Sequence, residues 1–198
     1  MKQSSSSSPR RLASEIVRKC LHFLIALAPA LASLHYCFTL VLLAAGTASY
    51  VLMEALRRKG WRIPVVSPLT DFASRRRDRN RFVLGPFTLG AGAFLALLLF
   101  PPQTAAIAVY ALAFGDGTAS LTGKTLGRLR HPFLFGKSVE GSLSCFAGTF
   151  ISAFLASGSL RRSLVAAGAA TITELPPIRD WDNIIIPLAT GLAVTFWG

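Results

Sequence analysis

The feature that most constrains this chain is the length of its apolar blocks. They run over residues 20–34, 36–56, 83–100, 104–120, 142–160, 163–176 and 184–197. A helix needs about 20 residues to cross about 30 Å of hydrocarbon. Only helices and closed barrels can cross it with every backbone group paired. Long blocks, as opposed to short alternating ones, select helices. The first, sixth and last blocks are on the short side. With 52% apolar and only 15% charged residues, the chain lacks the polar surface to cover a soluble core. The expected fold is all-α: a polytopic transmembrane helical bundle of about seven spans. No repeat or linker divides it, so 15–198 is expected to be one membrane-embedded domain. The Ser-rich, basic stretch 1–14 has the composition of a disordered tail.

A net charge of +12 raises the question of nucleic acid, and the positions of the cations answer it. Five cations precede or enter the first span, nine lie at 57–81, four follow span four, and Arg179 follows span six. If the amino terminus is cytoplasmic, 19 of the 21 cations lie inside, and only Arg161 and Arg162 fall outside. This is the bias that orients membrane proteins. It predicts no nucleic-acid partner, and in a bacterium it predicts the cell inner membrane. The run "RRRDRNR" (75–81) reads as a stop-transfer segment resting on anionic headgroups. Cys20, Cys37 and Cys145 form no CxxC pair and point to packing rather than zinc or disulfides. The sequence "ALAS" (30–33) imitates a signal-peptide cleavage site, but Glu15 and His22 spoil the preceding pattern.

The acids are the informative minority. Asp71 and Asp78 lie in the basic loop, and Glu54, three residues before Arg57, reads as a helix-face ion pair. Asp116, Glu140, Glu174 and Asp182 lie at span ends or in short breaks, where an unpaired carboxylate is costly. The topology brings all four to the cytoplasmic face. A divalent cation could hold them together, and Mg²⁺ is usually bound by one or two carboxylates plus substrate phosphates. In "FGDGTASLTGKTLGR" (114–128), Lys124 and Arg128 accompany glycines whose backbone N–H groups suit phosphate oxygens. Gly123 and Gly127 also read as a helix-packing GxxxG. "GTASLTGKT" misses the P-loop spacing by one residue and follows an apolar helix, not a strand, so that match is spurious. Glu15, Arg18 or Lys19, and His22 share one helical face. They read either as an interfacial ion-pair ladder or as contacts to phosphate or a substrate hydroxyl.

"GDGTASLTGKTLGR" followed by "FGKSVEGSLSCF" (135–146) resembles the CTP-dependent polyprenol, phytol and dolichol kinases, a family of lipid-alcohol kinases. The resemblance rests on Gly115, Asp116, Ala119, Gly123, Gly127, Lys137, Ser138, Glu140 and Gly141. "EIVRKCLHF" (15–23) and "ELPPIRDWDNIIIP" (174–187) are similar to that family's opening and late motifs. CDP-diacylglycerol synthases share a related central stretch. Their closing His-Gly-Gly…Asp-Arg signature is absent, and Asp182 and Asn183 stand at the late motif.

The resemblance implies transfer of the γ-phosphoryl of CTP, or another nucleoside triphosphate, to an isoprenoid alcohol or diacylglycerol. It implies Mg²⁺ on Asp116, with Glu140 as helper, and phosphates on Lys124, Lys137 and Ser138. Asp182 with Asn183 would complete the metal or nucleotide site. Glu174 would be a base for the alcohol or a further metal ligand, and His22 or Lys19 would touch phosphate or hydroxyl. Two other readings stay open: a phosphatidate cytidylyltransferase, which would release pyrophosphate, and a non-enzymatic lipid transporter. Transporters usually hold their charges at the midplane, whereas these acids gather toward one side.

Overall fold

The computed structural model describes residues 9–61, 64 and 82–198. Helices α1 (Pro9–Ile25) and α2 (Leu27–Leu34) form one bent rod, followed by α3 (Tyr36–Arg58) and α4 (Gly85–Leu99). Helix α5 (Pro102–Tyr110) runs through a π-helical stretch, Ala111–Asp116, into α6 (Gly117–Thr125). Helices α7 (Val139–Ser157), α8 (Leu160–Glu174) and α9 (Asp182–Trp197) complete the bundle. Short 3₁₀ turns at Pro132–Leu134 and Arg179–Trp181 precede α7 and α9. Among the described residues the only β pairing is an isolated bridge between Arg130 and Ser138. The chain is therefore an all-α bundle, with helix at each of the seven apolar blocks. Four helices, Ile16–Leu34, Tyr36–Arg58, Pro102–Thr125 and Val139–Ser157, are long and apolar enough to cross a membrane, and Gly85–Leu99 is a shorter apolar helix. Helix α1 begins within the stretch expected to be a tail, whose first eight residues lie outside the described ones, as does most of the basic loop.

The bundle is inverted relative to a water-soluble one. On α3 the buried residues are Thr39 and Glu54, while Phe38, Val41, Leu42 and Leu52 are exposed. That is the arrangement hydrocarbon solvent dictates. Inside, Ala93, Ala96, Ala105, Ala108 and Ala166 are fully buried, and such small residues let helix backbones approach closely. Pro102–Thr125 forms the centre, with 61% of its apolar window buried against 6% for Tyr36–Arg58. Around it α6 packs on α7, α7 on α8 and α8 on α9, while α4 packs between α3 and α9.

The turns follow local chemistry. Ser138 caps α7, its Oγ accepting the Gly141 amide at 3.1 Å, and Gly158 ends that helix at φ 63°. Ser159 then caps α8 through the Arg162 amide at 3.4 Å. The Glu54–Arg57 pair expected from the sequence is present, at 2.7 Å for both Nε and Nη2, but Glu54 is fully buried. It is buried because the chain entering α4 folds over it. Its Oε1 accepts the Val83 amide at 3.0 Å, and the Tyr50 hydroxyl donates to the Val83 carbonyl at 2.7 Å.

Where α4 crosses α9 the contact is between backbones. A Cβ on Gly92 would sit 2.0 Å from the Asn183 carbonyl oxygen, which no side-chain motion can relieve. Gly92→Ala should therefore lower stability by about 1–3 kcal/mol or more. Thermal unfolding in detergent should show a reduced Tm, and an unchanged Tm would mean that the two helices can part freely.

Candidate active site

One cavity of about 530 Å³ opens where α1, α4, α6, α7 and the segment before α9 converge. Asp116 reaches it from the end of the π-helical stretch, a local widening that is concentrated at functional sites. The Asp116 side chain is buried, with its Oδ2 2.7 Å from Lys19 Nζ and 3.3 Å from His22 Nδ1. Lys19 Nζ also donates to the Asp116 carbonyl at 3.3 Å. The shared face of α1 and the central acid thus meet inside the bundle.

A second ion pair lies across the cavity. Lys137 Nζ donates both to the backbone carbonyl of Glu174 and to its Oε1, while the buried Oε2 has no hydrogen-bond partner among the described residues. The third group stands at the start of α9. The Asn183 amide donates to Asp182 Oδ1 at 2.9 Å, and Asn183 Nδ2 donates to Thr88 Oγ1 at 2.9 Å and the Gly85 carbonyl at 3.3 Å. Desolvation at this mouth, followed by the charge of Asp116, pushes the Asp182 carboxyl above the usual carboxylate range.

Of the candidate residues, Lys19, His22, Asp116, Gly123, Lys124, Lys137, Ser138, Gly141, Glu174, Asp182 and Asn183 all line this cavity. Gly115, Gly127 and Glu140 do not. A Cβ on Gly115 would lie 2.4 Å from Thr149 Oγ1, and one on Gly127 would lie 2.6 Å from Ser138 Oγ. Their small size serves packing against α7 and its cap. Glu140 Oε1 accepts the amides of Arg128 at 2.9 Å and Leu129 at 3.1 Å, which holds the turn after α6.

The lining also includes Arg130 and Arg179, which the sequence placed only among the orienting cations, and Asp180, to which it assigned no role. Arg130 Nη1 donates to the Gly136 carbonyl at 2.8 Å. Arg179 did carry a signal: it is the only Lys or Arg after Arg162. Its backbone adopts φ 60°, rare for a non-glycine residue.

Chemically, the cavity sets Asp116, Glu174, Asp180 and Asp182 among Lys19, Lys124, Arg130, Lys137 and Arg179. Mixed charge of this density suits a polyanion that brings a cation with it. Among the described residues no group of three or more His, Cys, Asp or Glu forms a metal cage. Two carboxylates completed by phosphate oxygens is the way Mg²⁺ is commonly held, and Asp116 and Asp182 fit that donor set.

No family model matches the chain, and no solved structure matches it. The chain is 31% identical over 156 residues to a phytol kinase of Synechocystis sp., covering 74% of this chain and 66% of that one. It is 29% identical to a probable phytol kinase 1, chloroplastic, of Oryza sativa subsp. japonica, covering 68% and 48%. With phytol kinase 1, chloroplastic, of Arabidopsis thaliana it shares 37% identity over 95 residues, covering 40% and 31%. The aligned part spans from about a third to about two thirds of the length of these relatives. Their likeness joins a sequence whose opening, central and late motifs all reach one cavity among apolar helices, and the chain belongs to the polyprenol and phytol kinase family.

Proposed function

We propose that the protein is an integral-membrane, multi-pass kinase that transfers the γ-phosphoryl of CTP, or of another nucleoside triphosphate, to the hydroxyl of an isoprenoid alcohol of the phytol type. The observation that carries this reading is the cavity itself. It combines paired acids and bases with an apolar side, inside a bundle whose outer faces are apolar. The cation bias of the loops supports a cytoplasmic amino terminus, and with it a cavity facing the cytoplasm, where nucleotides are available.

Phosphoryl transfer asks a protein mainly for positioning and charge neutralisation. Lys124 and Lys137 would hold the nucleotide's phosphates, with the Ser138 cap beside them and Gly123 and Gly141 leaving room for the chain to approach. Mg²⁺, held by Asp116 and Asp182, would supply charge neutralisation on the phosphate oxygens. The alcohol oxygen attacks the γ-phosphorus as the bond to the β-bridging oxygen breaks, and CDP leaves. The hydroxyl proton passes to Glu174 Oε2, the buried oxygen with no partner among the described residues. Lys19 and His22 flank Asp116 and fix its orientation, and Glu140 shapes the loop that carries Arg128 and Arg130.

The direct test is purified protein in lipid nanodiscs with γ-labelled CTP, UTP or ATP and a panel of phytol, longer prenols and diacylglycerol. The expected products are a labelled prenyl monophosphate and CDP. Pyrophosphate among the products would replace this reading by a cytidylyl transfer, and absence of labelled lipid with every acceptor would end it.

Two substitutions divide binding from chemistry. Lys137→Ala removes a charge-assisted contact to phosphate and should weaken nucleotide affinity about tenfold or more. Asp182→Asn should leave most of that affinity and lower turnover instead, because its carboxylate acts where charge develops. Nucleotide Kd and single-turnover rate, measured on both variants, check the division. An unchanged turnover for Asp182→Asn would leave the late motif a packing element.

A further inference from the structure

The cavity has an apolar side that phosphoryl chemistry does not use. It is formed by Leu21 from α1 with Val83, Pro86 and Leu89 at the start of α4. Residues 82 and 83 lie ahead of the Leu84 cap of α4, so their backbone groups fall outside the helix ladder. For Val83 both are nevertheless taken by side chains of α3. Its amide donates to Glu54 Oε1 at 3.0 Å, and its carbonyl accepts the Tyr50 hydroxyl at 2.7 Å. Glu54 is fully buried and neutralised by Arg57. Burying an ion pair is expensive, and removing one partner strands the other charge.

A buried carboxylate is thus devoted to holding one valine of the cavity side. Two residues on, the Gly85 carbonyl is held from the opposite direction by Asn183, the neighbour of Asp182. The apolar side is fixed relative to the acids by side chains on both flanks. A water-soluble acceptor would gain nothing from such a surface. An alcohol whose hydroxyl must reach Glu174 and Asp182 while its hydrocarbon leaves the cavity needs just such a support.

We infer that Leu21, Val83, Pro86 and Leu89 form the subsite for the first isoprene unit of the acceptor alcohol, and that Glu54 and Tyr50 are positioning residues that set it. This rests on the lipid-alcohol kinase reading. The subsite directs the rest of the tail outward between α1 and α4. Val83 is its specificity-determining residue, because it stands outside the helices of the subsite and side chains of α3 hold both its backbone groups.

The primary test does not require turnover. A prenyl alcohol with a diazirine in the isoprene unit next to its hydroxyl is photolysed with the full-length protein in nanodiscs, and the adducts are mapped by mass spectrometry. Adducts on Leu21, Val83, Pro86 or Leu89 are expected. Adducts confined to outward-facing residues such as Leu42 or Leu155 would overturn the proposal. Kinetics give the second readout. Val83→Phe should raise the KM for the alcohol about tenfold while the nucleotide KM stays within about twofold. Glu54→Leu should show the same split, and Glu54→Gln, which keeps an acceptor oxygen for the Val83 amide, should restore most of it. Equal changes in both KM values would reduce Glu54 to a general structural role and overturn the positioning claim. A protein that transfers nothing to any alcohol and yet carries adducts on this side would lose the kinase reading and keep the subsite.

Discussion

Replacing Asp116 with asparagine should cut turnover by about two orders of magnitude or more, the scale seen when a group stabilising developing charge is removed. The same change should also destabilise the protein. Lys19 is only 5% exposed and has Asp116 Oδ2 as its counter-charge at 2.7 Å. Losing one member of a buried pair typically costs about 3–5 kcal/mol. Activity alone would therefore confuse a lost phosphoryl-transfer group with a lost helix contact. The pair Asp116→Asn and Lys19→Gln, made together, separates them. The double variant should recover much of the yield and thermal stability, because neither charge is stranded, and it should remain inactive. Recovery of turnover in the double variant would show Asp116 to be only the counter-charge of Lys19.

Glu174→Gln is the second change with a large expected effect. The substitution is nearly isosteric, and Lys137 Nζ keeps the backbone carbonyl of residue 174 as an acceptor. The local fold should hold, and nucleotide affinity should change little. If Oε2 receives the hydroxyl proton, turnover should fall by about 10²–10⁴-fold, the usual contribution of a general base. The acidic limb of the pH–rate profile should flatten with it. A variant whose turnover stays within about threefold of the parent, with its pH profile intact, would remove Glu174 from the proton path. Rapid-quench measurements of the first turnover keep product release from hiding the effect.

The helices were legible because hydrocarbon as a solvent marks every turn of a span, so the apolar blocks and the helices coincide. The cavity was legible through its charges. The acids of the central and late motifs share one face once the cations orient the chain. Two sorts of feature were not readable. A span that is apolar on nearly every side gives no sign of how it is rotated. The pairing of Lys19 with Asp116, 97 residues away, and of Lys137 with Glu174, 37 away, therefore depends on packing that no local pattern announces. Glu54 is of the same kind. Its spacing from Arg57 was visible, but the folding of residue 83 over it was not. The glycines misled in a different way. Their clustering suggested backbone open to a ligand, yet Gly115 is filled by Thr149, and Gly127 meets Ser138 in keeping with its other reading as a packing residue, so one composition served two purposes.

The Lys19–Asp116 contact also bears on how the protein is made. Lys19 leaves the ribosome 97 residues ahead of its counter-charge. Until that partner arrives, the ammonium at the entry of the apolar stretch lacks the carboxylate of Asp116, and its long stem lets it rest at headgroup level. Helix α1 can settle to its final depth only after α5 and α6 have entered the bilayer beside it. Seating of α1 is then a late step of biogenesis, and the carboxylate proposed to bind the metal first serves as the mooring for a helix made well before it.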